Sequence, residues 1–281
     1  MPKKTPEIVP VTSNLITITD DNYQNFVDPQ TVNGEKKARG LKPRLFSTHP
    51  CGYLGEIAEP FALPLIPESE IEDRIAQQER DKSSLQHIRD QGKFGQSIPS
   101  LDQNGYGYCW SHSTVSAMLL IRALNNQPFA DLSAYAIACI IKNYRDQGGW
   151  NGESLEFATK RGCPTSEFWP QRSVSRQNDR SETWENAKRH TVSEWWDLSE
   201  SRATAKLQLA TLLLLNIPTM IDLNWWGHSV CAVRLIKWNP FTVRILNSWG
   251  DSWGDRGMGD LVGDKAVPDG AAAPRVLFAA A

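Results

Sequence analysis

Four polar residues in this 281-residue chain have the types and spacing that catalysis by an activated cysteine requires. Cys109 offers a thiol that is nucleophilic as the thiolate, and His228 offers an imidazole that can hold its proton. Such an imidazole needs a third group that fixes its orientation and tautomer, and Asn247 could supply it. Gln103, six residues before Cys109, could donate an amide N–H to an oxyanion beside the Cys109 backbone N–H.

The sequence around Cys109 predicts that the thiol lies in the first turn of a buried helix. A glycine-bearing turn over 103–108 precedes it, and residues 115–124 are small or apolar almost all round. Unpaired N–H groups and the positive end of the helix dipole should lower the thiol pKa. This stretch alone leaves open that Cys109 is only a small buried hydrophobic residue.

The elements that must position these residues change character along the chain. Helical patterns occupy most of the region from Pro67 to Leu215, and short β-rich runs follow from Pro218 to Leu246. His228 opens one of these runs, and Asn247 ends another. Helices followed by an antiparallel sheet predict an α+β fold with a cleft between its two halves.

Composition and charge narrow the classes of partner. The chain is 40% hydrophobic and 22% charged, with a net charge of -2, which gives no reason to expect a nucleic-acid or anionic-membrane partner. No run approaches a membrane span, and no export signal is visible. Five cysteines are few and odd in number, so we expect no disulfide framework and predict a reducing, cytoplasmic location.

The chain divides into three predicted parts. Residues 1–84 are interpreted as an extended arm or propeptide-like region, which includes a β-rich patch at 15–19 and a surface helix over about 67–82. Residues 85–265 form the predicted catalytic domain. Within it, the charged stretch 172–190 is expected to be an irregular surface excursion. The alanine-rich residues 266–281 are expected to form a loosely held tail.

Over about residues 95–260 the sequence resembles the papain-like family of cysteine peptidases. The resemblance rests on a Gln-(five residues)-Cys-Trp motif, a histidine strand and an Asn-Ser-Trp-Gly turn: Gln103–Trp110, Gly227–Val230 and Asn247–Gly250. It implies a helical half with a central nucleophile helix, packed against an antiparallel sheet or barrel. It also implies a polypeptide substrate, no cofactor and no metal. Cys109 would be the nucleophile, His228 the acid and base, Asn247 its orienter and Gln103 the oxyanion donor.

The same resemblance implies candidate substrate-binding residues. Trp249 would shield the contact between the catalytic histidine and asparagine. Asn151 and Gly152 resemble the loop whose backbone pairs with an extended substrate. Trp226 would help to rebuild a cleft wall, because the long insertion usual before the histidine strand is absent. The usual disulfide is also absent, and aromatic contact between the residues in its place, Tyr106 and Trp150, could replace it.

The N-terminal region has two interpretations. Glu70 and Arg74 have the spacing of the first two helix markers of the family's inhibitory propeptide, but the later markers are missing. The alternative is a permanent arm that packs on the body or on a protein partner. The missing markers, together with the absence of an export signal, favour the permanent arm.

Three rival functions stay open. Cys109, His112, His228 and Cys231 have zinc-like spacing, although residues 228 and 231 of one strand point to opposite faces, and His112 is better explained as a ring packed in the core. The fold could also carry a transglutaminase-like acyl transferase or a non-catalytic scaffold. Transglutaminases typically use aspartate as the third group, so Asn247 favours peptide hydrolysis.

Overall fold

Helices make up one half of the fold, and a mixed β-sheet makes up the other. The computed structural model describes residues 14–49, 58–91, 97–275 and 277–278. Its helices are α1 (Gln24–Val27), α2 (Glu68–Asp81), α3 (Leu85–Gln91), α4 (Cys109–Leu124), α5 (Ala134–Ile141), α6 (Asn151–Arg161), α7 (Ser181–Ala187) and α8 (Arg202–Leu214). Its strands are β1 (Ile16–Ile18), β2 (Thr31–Val32), β3 (Glu35–Lys36), β4 (Ala58–Pro60), β5 (Thr191–Val192), β6 (Trp195–Asp197), β7 (Thr219–Leu223), β8 (His228–Lys237), β9 (Thr242–Leu246), β10 (Met258–Val262), β11 (Gly270–Pro274) and β12 (Leu277–Phe278).

The central helix, α4, begins at Cys109, which confirms the predicted start. Every residue of α4 except Leu124 is buried, because α5 and α6 contact it from one half and β8 from the other. Its hydroxyl groups are satisfied inside the core; Ser111 Oγ, for example, donates to the Ala134 carbonyl at 2.8 Å. The largely apolar sequence of α4 therefore matches a helix with no solvent face.

The main sheet has eight strands in the order β1-β10-β9-β8-β7-β11-β6-β4. The predicted antiparallel sheet is confirmed from β10 through β6, whereas the outer strands β1 and β4 pair in parallel. Strand β8 lies near the centre of the sheet and packs on α4. The helical half and the sheet thus meet along α4, as the α+β prediction requires.

The alanine-rich segment near the C-terminus differs from the loose tail that we expected. Gly270–Pro274 forms β11, which lies between β7 and β6, and all five of its residues are buried. Both α4 and α6 contact this strand, and alanine side chains leave room for that close approach. The expectation is wrong for 270–274 because small apolar residues were interpreted as loosely held chain instead of tightly packed core.

One other stretch differs from the prediction. The stretch 172–190 is not wholly irregular, since it contains α7 and a 3₁₀ turn over Arg176–Asn178. The helix predicted over 67–82 is confirmed as α2, where Glu70 and Arg74 form an exposed ion pair at 2.8 Å.

Part of the N-terminal region is built into the core. Ile18 on β1 is fully buried, and Ile71 and Ile75 on α2 are buried against α8 and β8. This part of the arm therefore contributes apolar contacts to the catalytic half, although the predicted division at residue 84 stays a prediction. None of the helices among the described residues is long and apolar enough to cross a membrane.

We expect substitution of Ile18 by alanine to lower the free energy of unfolding by about 2 to 5 kcal/mol, because it removes methyl groups from a fully buried site. Urea denaturation followed by tryptophan fluorescence measures this loss. Leu45, which is 64% exposed, provides the matched control: Leu45→Ala should change stability by less than about 0.5 kcal/mol. Equal losses in the two variants would contradict the packing of β1 into the body.

The aromatic residues predicted to replace the disulfide do not meet. Tyr106 stacks on Tyr108 with ring centroids 5.4 Å apart and meets Tyr135 edge-on at 5.7 Å. Trp150 instead lies beside His49 and Arg44. The expected pairing of Tyr106 with Trp150 is therefore wrong.

Four cysteines are free and buried, at 109, 139, 163 and 231, and Cys51 lies outside the described residues.

Candidate active site

His228 and Asn247 form a buried hydrogen-bonded pair. His228 is the first residue of β8 and Asn247 directly follows β9, so two adjacent antiparallel strands bring them together. The His228 Nε2 atom lies 2.7 Å from Asn247 Oδ1, which also accepts from the Ser248 N–H at 2.8 Å. Because Oδ1 can only accept, Nε2 must carry the hydrogen. His228 Nδ1 then presents a lone pair, and it has no hydrogen-bond partner within the described residues.

Two tryptophans enclose the histidine ring. The Trp249 ring centroid lies 4.8 Å from that of His228, and the Trp226 centroid lies 4.9 Å from it. Both indoles are buried and contact each other at 5.6 Å. Both tryptophans therefore pack against the His228 ring. Excluding water in this way strengthens the bond between His228 and Asn247. A substrate-binding role for Trp226 and Trp249 stays a prediction.

The Gln103 side chain is held with its N–H groups directed at carbonyl oxygens. Its Oε1 accepts from Ser248 Oγ at 2.6 Å, and this fixes which end of the amide donates. Its Nε2 donates to the Tyr106 carbonyl at 2.8 Å and to the Ala38 carbonyl at 3.0 Å. Gln103 therefore already binds a peptide carbonyl, which is what an oxyanion donor is expected to do.

Cys109 is protonated in this arrangement. Burial raises the pKa of its thiol to about 12, although the nearby backbone N–H groups of Ser229 and Gly40 favour the thiolate. Burial also lowers the pKa of His228 to about 3. A neutral thiol and a neutral imidazole therefore coexist near pH 7. The prediction that the helix start lowers the Cys109 pKa is wrong for this structure, because desolvation of the thiol outweighs the helix dipole.

The cover over this site comes from residues 37–44, which we name the cleft segment. Its backbone pairs with both sides of the cleft: the Gly149 N–H donates to Gly40 O at 2.9 Å, and the Lys42 N–H donates to Gly149 O at 2.9 Å. The Leu41 N–H donates to Gly227 O at 3.1 Å, immediately before His228. The cleft segment thus lies across the site like an added strand.

Side chains anchor the N-terminal end of the cleft segment. Lys37 Nζ forms an ion pair with Asp102 at 3.1 Å, and Arg39 Nη1 donates to the Trp226 carbonyl at 3.0 Å.

At Gly40 a Cβ atom would lie 2.0 Å from Gly107 O, so the backbone approaches too closely for any side chain. Only glycine fits at this position while the cleft segment lies across the site, an arrangement that we call closed.

The predicted substrate-binding residues Asn151 and Gly152 are buried in the first turn of α6. Their role in binding substrate stays a prediction. The pairing expected of them is made by Gly149, two residues before Asn151. The signal in the sequence that could have identified this position is the glycine pair at 148 and 149.

The four residues proposed as an alternative zinc site do not come together as a metal site. Across the described part of the chain, no group of three or more His, Cys, Asp and Glu residues could hold a metal ion. His112 Nδ1 lies 2.8 Å from the Tyr108 carbonyl, and its ring meets Tyr135 edge-on at 5.2 Å. Burial lowers the pKa of His112 to about 4, as suits a ring packed in the core.

Comparisons with known proteins find relatives in sequence and in fold. No protein-family model matches the chain. The sequence is 24% identical to zingipain-2 of Zingiber officinale over 195 residues, which cover 63% of this chain and 87% of that protein. It is 26% identical to the cathepsin B-like protein CP2 of Giardia intestinalis over 154 residues, which cover 52% of this chain and 51% of that protein.

Solved structures show the fold. Xylellain, a cysteine protease from Xylella fastidiosa, matches with a TM-score of 0.58 at 14% identity, covering 88% of this chain and 98% of xylellain. Digestive procathepsin L 3 of Tenebrio molitor larval midgut matches with a TM-score of 0.54 at 16% identity, covering 91% of this chain and 79% of that protein. The chain therefore has the papain-like cysteine protease fold, and its sequence resembles peptidases of that family.

Proposed function

We propose that this protein is a cysteine peptidase in which Cys109 is the nucleophile, His228 the acid and base, Asn247 its orienter and Gln103 the oxyanion donor. The observation that carries the proposal is the buried hydrogen bond between His228 Nε2 and Asn247 Oδ1, which leaves Nδ1 without a partner among the residues that the structure describes. The Gln103 amide on a peptide carbonyl supports it. Similarity to papain-family peptidases supports the same reaction class.

The chemistry follows from these roles. His228 takes the thiol proton, and the Cys109 sulfur forms a bond to the scissile carbonyl carbon while Gln103 stabilises the oxyanion. His228 then gives that proton to the leaving amine as the carbon–nitrogen bond breaks, which leaves an acyl-enzyme. Water, deprotonated by His228, attacks the acyl carbon, and the carbon–sulfur bond breaks to regenerate the thiol. No cofactor takes part in this proposal.

The cleft segment would block this reaction in the resting chain. The Ala38 carbonyl accepts a hydrogen bond from the Gln103 amide. The backbone of residues 40–42 forms hydrogen bonds with the same groups that an extended substrate would need. This favours an inhibitory role for residues 37–44, contrary to our sequence-based preference for an arm that only packs on the body. Strand β1, in contrast, is packed into the body. A protein partner for the arm stays a prediction.

A reducing, cytoplasmic location belongs to the same proposal. Four buried free thiols, with no disulfide among them, suit a compartment that keeps cysteines reduced. A measurement of the location of the tagged full chain in its cell of origin would test it.

In the full chain carrying Gly40→Ala, whose added Cβ displaces the cleft segment, substituting Cys109 by serine should abolish hydrolysis of a denatured protein substrate, because the serine hydroxyl is a far weaker nucleophile beside a neutral imidazole. We expect a loss of at least about a hundredfold, measured as release of fluorescent peptides. Cys139, also buried and free, gives the control: Cys139→Ala should retain activity. Equal activity in the Gly40→Ala parent and in Gly40→Ala with Cys109→Ser would rule out the proposed nucleophile, and acyl transfer without hydrolysis would favour a transferase.

A further inference from the structure

Two buried carboxyl groups lie on one face of the sheet beside the cleft. Asp222 on β7 pairs with Gly270 across the ladder, and Asp197 on β6 pairs with Ala272. Gly270 and Ala272 are two residues apart on β11, so both aspartates point to the same face. The sheet therefore brings together two acidic groups that are far apart in sequence.

Asp197 already binds a guanidinium. Its two oxygens accept from Arg44 Nη1 and Nη2 at 2.6 and 2.7 Å, and the two side chains are 0% and 3% exposed. The Arg44 guanidinium carbon also lies 4.5 Å from the Phe46 ring centroid and 4.8 Å from that of Trp150. Paired N–H donors and aromatic faces suit arginine better than lysine.

Asp222 has no such partner. Its side chain is 3% exposed, and neither carboxyl oxygen makes a hydrogen bond of good geometry within the described residues. Burial raises the pKa of this carboxyl to about 7, and weaker contacts with the Ser229 side chain and the Asn151 backbone, together with the Arg44 charge, offset only part of that rise. A buried carboxyl without a paired cation is costly, so the site gains stability when a cation binds directly to it.

The position of this acidic pair along the cleft follows from the cleft segment. Ala38, at one end, accepts from the indole of Trp249, which covers His228. The leaving amine must meet His228, so we assign this end to the leaving group and the Arg44 end to the acyl side. Asp222 is also the ladder partner of Ser229, which follows His228, and its charge raises the Cys109 pKa. The acidic pair thus lies beside the nucleophile on the acyl side.

We propose that Asp197 and Asp222 form a pocket for an arginine side chain of the polypeptide substrate, on the acyl side of the scissile bond. In the resting chain Arg44 of the cleft segment occupies this pocket at Asp197. When the segment leaves, a substrate arginine takes its place. This inference rests on the proposed function, because it assigns the specificity of that same site.

The test uses the full chain carrying Gly40→Ala, which cannot hold the closed arrangement. Two peptidyl epoxides that differ only in arginine or norleucine on the acyl side are compared for their rate of Cys109 modification. We expect the arginine probe to react at least about tenfold faster, because the arginine side chain can form a charge-assisted pair with the aspartates and the norleucine side chain cannot. Asp222→Asn should lower this ratio by about threefold or more, and Asp197→Asn should lower it further. Glu185→Gln, which removes a carboxylate from an exposed ion pair on α7, should leave the ratio unchanged.

The outcomes separate the two proposals. If iodoacetamide modifies Cys109 but neither peptidyl probe does, the proposed function fails. If the norleucine probe reacts as fast as the arginine probe, only the arginine pocket is overturned. A ratio that neither aspartate substitution changes also overturns it, and a ratio that Asp222→Asn alone leaves unchanged removes Asp222 from the pocket.

A second measurement does not depend on reaction at Cys109. In the full chain carrying Arg44→Ala, ethylguanidinium should bind at Asp197 and raise the melting temperature by about 2 °C relative to an equal concentration of sodium salt. The double variant Arg44→Ala with Asp197→Asn should show no such rise. Equal shifts in both variants, or none in the first, would overturn guanidinium binding at this place.

Discussion

Replacing Gly40 by alanine should raise hydrolysis of a short fluorogenic peptide by the full chain at least about tenfold. The added Cβ would lie 2.0 Å from Gly107 O and 2.4 Å from the Gly107 carbonyl carbon, distances at which the backbone must move. Displacement of the cleft segment would free the Gln103 amide and expose Cys109 to water. Since burial is what raises the Cys109 pKa, exposure should lower it and increase the thiolate fraction near pH 7.

The matched control is Gly105→Ala. Gly105 lies two residues before Gly107, but a Cβ there would meet no atom within 4 Å. This substitution should therefore leave the rate unchanged, within about twofold. If Gly40→Ala folds with an unchanged far-ultraviolet spectrum and yet remains as inactive as the wild type, the blocking role of residues 37–44 is wrong.

Replacing His228 by alanine should lower kcat/KM by about 10² to 10⁴ in the Gly40→Ala background. In the proposed mechanism the imidazole has two tasks, to take the thiol proton and to deliver it to the leaving amine. Among the described residues, the other group hydrogen-bonded to Asn247 Oδ1 is the Ser248 backbone N–H, which cannot perform them. In the Gly40→Ala parent, where the cleft is open, we expect the rate to depend on the titration of His228 near neutral pH. The variant that also carries His228→Ala should lose this dependence. Steady-state hydrolysis between pH 5 and pH 9 measures both effects.

His87→Ala serves as the control for this substitution. His87 lies on α3, where it contacts Ser84, and has no contact with the site residues among its hydrogen bonds. We expect less than about a twofold change in kcat/KM. A His228→Ala variant that keeps the parent rate would show that another base activates Cys109, and the role of Asn247 would fail with it.

The parts of the site that local sequence determines could be predicted. Cys109 opens α4 because an apolar run without glycine or proline follows a glycine-bearing turn. His228 and Asn247 lie at the ends of adjacent strands, and β-rich runs bounded by turn residues marked both strands. The order of helices before sheet fixed the α+β class for the same reason.

The parts that depend on long-range contacts could not be predicted. The Cys109 pKa has the opposite shift from the one expected, because burial outweighs the helix dipole and residues some 70 positions earlier help to cover the thiol. The pairing made by Gly149 could not be predicted, because a glycine pair that ends one helix and a glycine that pairs with an extended chain look alike in sequence. Asp197 and Asp222 have no motif, and only the β11 ladder brings them together.

The most direct test of the central claim is the identity of the residue that a peptidyl epoxide modifies in the full chain carrying Gly40→Ala. Peptide mass mapping after a short incubation near pH 7 should find the label on Cys109 alone, with Cys139, Cys163 and Cys231 unmodified because they are buried in the core. Adding His228→Ala should slow the labelling at least about tenfold. Equal labelling of another cysteine, or labelling of Cys109 that is indifferent to His228, would contradict the account.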